Sequence, residues 1–100
     1  MSDTKEITKT LEEILSKAGI EPSDDKVYKL ILWNDEVNSF DHVILCLISI
    51  MSFSPEKAEN TAWTVHMKGA SILKTGSKDK LKPFKSALEE QGLTLTIEKD

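Results

Sequence analysis

The period of the hydrophobic pattern changes repeatedly along the chain, and each change predicts an element. Val27 to Trp33 (VYKLILW) is a short run rich in β-branched and aromatic residues, the signature of a strand buried on at least one face. Ser39 then offers an N-cap. Behind it Phe40, Val43, Ile44, Leu47, Ile48 and Met51 recur at the 3.6-residue spacing of a helix. Ser54 and Pro55 repeat the start signal, with proline in the first turn where its missing N–H is harmless, and a second helix runs through Ala58, Ala62, Val65 and His66 to Gly69. Ala70 to Thr75 (ASILKT) predicts a second, weaker strand. A third helix is expected from Lys80 to Gln91, with Phe84, Ala87 and Leu88 inward and Pro83 in its first turn. Gly92 closes it, and Leu93 to Glu98 (LTLTIE) alternates as a last strand with Leu93, Leu95 and Ile97 on one face. The order β-α-α-β-α-β predicts an α/β (α+β) two-layer sandwich, a three-stranded antiparallel sheet with three helices on one side.

Ahead of this block the pattern breaks. Glu21 to Asp25 (EPSDD) is a polar cluster with Pro22 that reads as a linker, dividing the chain into an N-terminal extension, residues 1–25, and a domain, residues 26–100. Within the extension Ile7, Leu11, Ile14 and Leu15 recur at helical spacing and Gly19 is placed as a C-terminal cap. Residues 4–18 are therefore expected to form a short amphipathic helix, marginal when alone, that folds back on the domain, stays frayed or engages a partner.

Composition narrows the function classes. At 100 residues there is room for one core and no second one. The N-terminus lacks the basic start and continuous apolar segment of a secretory signal, and no apolar run is long enough to span a bilayer, so a cytoplasmic protein with no membrane partner is expected. With 17 acidic against 13 basic residues the formal charge is −4, which disfavours a nucleic-acid partner because phosphate contacts need a clustered basic face. The lysines between Lys74 and Lys85 are mixed with Asp79 and read as a solvated helix face. Cys46 is the only cysteine, so no internal disulfide exists, and its apolar setting marks a small core residue.

Two places carry candidate chemistry. Asn34, Asp35 and Glu36 stop the first strand without a glycine. Such residues form polar turns because their side chains bond nearby backbone, yet a carboxamide oxygen and two carboxylates also make an acceptor cluster suited to an ammonium or a metal cation. His66, near the end of the second helix, is a favourable cation at the negative helix terminus. It also lies one turn after Ala62 and beside Val65, so it borders a small apolar surface, and apolar surface next to polar acceptors describes a binding pocket. Hydrolase motifs are missing: there is no Gly-x-Ser-x-Gly and no glycine-rich phosphate loop. His42, His66, Asp35 and Glu36 match no compact zinc-ligand spacing and no cofactor is expected, but a zinc site built from them, in a small metal-dependent enzyme, stays open as a third reading. A structural interaction domain of the same sandwich fold is the alternative from a different class.

The residues resemble the ClpS adaptors of the bacterial N-degron pathway over positions 27–99. The resemblance rests on Tyr28 to Glu36 (YKLILWNDE), similar to Y-x-V-x-L-x-N-D-[DE], on Phe40-Asp41-His42-Val43, on Val65 to Gly69 (VHMKG), similar to V-H-x-x-G, and on a closing Thr-Ile-Glu. The pairing of the two longer motifs is its specific part. It implies a monomeric adaptor that is not an enzyme, which binds free protein N-termini beginning with Leu, Phe, Tyr or Trp and hands them to a AAA+ unfoldase, ClpA or ClpC, working with ClpP. Carried over residue by residue, it implies that Asn34, Asp35, Glu36 and His66 receive the α-ammonium. Phe40, Val43, Ala62, Val65 and Leu93 would line the pocket for the first side chain, with Asn38 at its rim where the family often has threonine. Glu36 stands where many members have aspartate and Ala62 where many have methionine, which leaves room for Ile or Val unless Phe40 fills it. The segment from Lys74 to Gly92 matches poorly and makes Leu93 the least secure of these positions.

Overall fold

The computed structural model describes residues 26–100; the extension, its expected helix over 4–18 and the linker over 21–25 lie outside the described residues. Strand β1, Tyr28–Trp33, is central in a three-stranded antiparallel sheet. It pairs with β2, Ala70–Gly76, on one side and with β3, Thr94–Lys99, on the other. Side chains alternate along a strand, so Leu30 and Leu32 enter the core under the helices while Ile31 turns to the other face, flanked by Ile72 and Thr96. All three are buried, which is why the run reads as continuously apolar. In β2 the register shifts between Leu30 and Ile31. That bulge sets Leu73 and Lys74 against Leu30: Leu73 is buried in the core, and the Lys74 ammonium lies 5.0 Å from the centroid of the Phe84 ring.

The helices are α1, Phe40–Ser49, α2, Pro55–Lys68, and α3, Lys78–Glu90. Each starts on a serine whose hydroxyl accepts a backbone N–H from the first turn: Ser39 from His42 at 3.1 Å, Ser54 from Lys57 at 3.1 Å and Ser77 from Lys80 at 3.3 Å. The third start corrects the sequence expectation. Because Ser77 caps α3, the helix begins at Lys78 and Pro83 lies inside it rather than in its first turn. Proline leaves the carbonyl four residues back, that of Asp79, without its helical donor. Asp79 and Pro83 are both exposed, so water can satisfy that carbonyl and the helix continues.

The helices cover one face of the sheet, as the sequence pattern predicts. Leu30, Leu32, Leu47, Leu81 and Leu88 are the largest fully enclosed side chains, and Leu93 and Leu95 join them from the third strand and the turn before it. Cys46 belongs to this core; burial raises its thiol pKa and so disfavours the reactive thiolate. Among the described residues no helix is long and apolar enough to cross a membrane.

Candidate functional site

The central strand ends where both its neighbours begin. Trp33 pairs with Ala70 of β2 and with Thr94 of β3, so Asn34 leaves the sheet from its middle. The Asn34 backbone N–H donates to the carbonyl of Gly69 at 2.9 Å. Gly69 is the C-cap of α2 with φ 91, a left-handed conformation that a side chain would strain, and its own N–H returns to the Val65 carbonyl at 2.9 Å. The glycine of Val-His-x-x-Gly thus stops the helix and bonds the Asn-Asp-Glu segment to its end. His66, in the last turn of α2, is held beside the end of β1 by that bond.

Between these segments lies a cavity of about 560 Å³, within the range of about 300–1,000 Å³ usual for pockets that enclose small ligands. Asn34, Asp35, Glu36, Asn38, Phe40, Val43, Ala62, Val65, His66 and Leu93, the ten residues singled out from the sequence, all line it. Leu32, Trp33 and Trp63 line it as well and were missed. For Trp63 a signal existed: it lies three positions before His66, hence on the same helical side. Leu93, the position on which the sequence was weakest, is 4% exposed.

The polar side chains fall into two groups. Asp35 is committed to its own loop. Its Oδ1 accepts the N–H of Val37 at 3.0 Å and of Asn38 at 2.9 Å, and its two oxygens accept the Asn38 Nδ2 at 3.0 and 2.9 Å. The Thr94 hydroxyl adds a longer bond of 3.4 Å. Burial pushes the Asp35 carboxyl pKa up, but the bonds from Asn38, Val37 and Thr94 outweigh it and hold the group below its ordinary value, ionised. Asn38 is likewise engaged, because its Nδ2 also donates to the Gly92 carbonyl at 2.9 Å. By contrast, the side chains of Asn34, Glu36 and His66 make no hydrogen bond or ion pair with the described residues; His66 has only an edge contact with the Trp63 ring.

The resulting site has uncommitted acceptors at one end and an apolar hollow at the other. Such an arrangement accepts a cationic donor group joined to a hydrophobic body. His42, named among the zinc candidates, is elsewhere: its Nε2 donates to the Gln91 carbonyl at 2.8 Å. Among the described residues no group of three or more His, Cys, Asp or Glu is arranged to hold a metal ion.

Known proteins resemble this chain over most of its length. A family model described as "ATP-dependent Clp protease adaptor protein ClpS" matches residues 23–96. The curated ATP-dependent Clp protease adapter protein ClpS of Streptomyces coelicolor is 28% identical over 95 residues, covering 95% of each chain. That of Thermosynechococcus vestitus is 33% identical over 72 residues, covering 68% of this chain and 73% of its own. Among solved structures, Agrobacterium tumefaciens ClpS2 bound to L-phenylalaninamide superposes with a TM-score of 0.67 at 24% identity, covering 77% of this chain and 100% of the other.

Proposed function

We propose, since the chain belongs to the ClpS family of ATP-dependent Clp protease adaptors, that it binds the free N-terminus of proteins beginning with Leu, Phe, Tyr or Trp and delivers them to a AAA+ unfoldase, ClpA or ClpC, for degradation by ClpP. The observation that carries this reading is the pairing of Asn34, Glu36 and His66, uncommitted acceptors, with the apolar walls from Phe40, Val43, Ala62, Val65 and Leu93 in one cavity. An α-ammonium has three N–H donors, and its first side chain leaves from the adjacent carbon, so both ends are engaged at once. The ligand of the Agrobacterium neighbour, L-phenylalaninamide, has this composition: a free amino group beside a benzyl side chain.

Magnitudes fit an adaptor that must release its cargo. Charge-assisted hydrogen bonds contribute about 1.5–3 kcal/mol each, and burial of a Leu or Phe side chain roughly 1.5–3 kcal/mol. Association costs of about 4–15 kcal/mol offset much of that sum. Three such bonds and one buried side chain leave a net of at most about 8 kcal/mol, so micromolar affinity is the tightest that these terms support. Acetylation removes the charge and two of the donors while leaving the side chain, so it isolates the polar half of the site. Peptides beginning with free Phe should bind at least tenfold tighter than the same peptides acetylated, measured by fluorescence anisotropy. Equal affinities would sink this reading.

A further inference from the structure

Trp63 touches both halves of the site. Its ring centroid is 4.8 Å from that of Phe40, tilted by 59°, and 6.1 Å from the His66 imidazole, which it meets edge-on at 75°. Although it lines the cavity, Trp63 is 50% exposed, so much of the indole surface looks into open space. Its neighbours on the apolar side are small: Ala62 offers a methyl group, and Val43 and Val65 offer short branches. Leu32 and Leu93 add aliphatic wall, and the aromatic lining comes from Trp33, Phe40 and Trp63, of which Phe40 and Trp63 form the contacting pair beside His66.

We infer that the pocket selects aromatic over aliphatic first residues, with Trp63 as a specificity-determining residue. The inference rests on the reading of the site as a receptor for free N-termini. Aromatic rings prefer tilted or offset partners with centroids about 4.5–7 Å apart, and gain from this beyond the area they bury. The tilted Phe40–Trp63 pair presents such surface to an incoming ring. A leucine in the same space gains burial alone. Discrimination of about three- to tenfold in favour of Phe over Leu is expected.

The test uses the full chain, its Trp63→Leu and Trp63→Phe variants, and two peptides differing only in a first residue of Phe or Leu, each free and acetylated, read by anisotropy. The unmodified chain should bind the free Phe peptide several-fold tighter than the free Leu peptide. Trp63→Leu should abolish the difference, mainly by weakening Phe. Trp63→Phe should retain most of it, which separates ring chemistry from any loss of fold. Equal binding of Phe and Leu by the unmodified chain, or equal weakening of both by Trp63→Leu, overturns the inference while leaving N-terminus binding intact. Insensitivity of the unmodified chain to acetylation instead overturns the receptor reading, and the inference with it.

Discussion

Asp35 and Glu36 are adjacent carboxylates with opposite circumstances. Asp35 accepts bonds from Val37, Asn38 and Thr94 and so acts as the organiser of its loop. Glu36, exposed and uncommitted, lines the same cavity. We propose that the longer arm of Glu36 makes the ammonium contact and that Asp35 fixes where Asn34 and Glu36 stand. Asp35→Ala should then cost about 1–2 kcal/mol of stability in urea unfolding, since it removes the acceptor of two backbone N–H groups. Glu36→Gln should leave stability within about 0.5 kcal/mol but weaken Phe-peptide binding about tenfold through loss of charge. The opposite assignment of these two effects would refute the division. Acidification offers a further check of sign. The folded Asp35 carboxyl lies below its ordinary value of 3.8, so its stabilisation is full above that value and is lost as pH falls through it toward the folded one. The stability gap between the unmodified chain and Asp35→Ala should therefore narrow only in that acid window.

At the level of elements, the β1–α1 segment and the first turn of α1 hold the turn between α3 and β3. His42 donates to the Gln91 carbonyl and Asn38 to the Gly92 carbonyl, so two successive carbonyls are tied just before Leu93. Gly92 has φ 89 and bends the chain there, while the Leu93 N–H bonds back to the Leu88 carbonyl at 3.2 Å. Leu93 is thus placed in the pocket by residues far away in sequence. Asn38→Ala removes one tie and leaves Asp35 short of a donor. It should weaken Phe-peptide binding about three- to tenfold and accelerate hydrogen exchange of the Leu93 amide; unchanged exchange would mean that the turn holds itself. This clamp was not legible in the sequence, because separations of 54 and 49 residues leave no periodic trace. What sequence did carry was local. Ser39 and Ser54 announce their helices, and Ser77 caps the third in the same way, although the apolar pattern of Phe84, Ala87 and Leu88 starts that helix only at Lys80.

For the whole molecule, hydrophobic period together with the cap and turn residues predicts the order of elements and a two-layer packing with the helices on one side, since the helices and the outer strands each have one dominant apolar face. The closure of the site was different. It depends on the bond from Asn34 to Gly69, and only the resemblance to a family brought those two segments together beforehand. Among the described residues, the core and the cavity are both built from positions between Tyr28 and Ile97, the cavity from Leu32 through Leu93. Binding and delivery should accordingly be separable along the chain: removal of residues 1–25 should leave the unfolding temperature and the Phe-peptide affinity unchanged within about twofold, a surface-sized effect. The same truncation should slow degradation of a Phe-initiated reporter by the unfoldase and peptidase, if the extension is the part that engages them. Measured side by side, a loss of peptide affinity on truncation would instead make the extension a wall of the pocket, and unimpaired degradation would place the unfoldase contact within the domain.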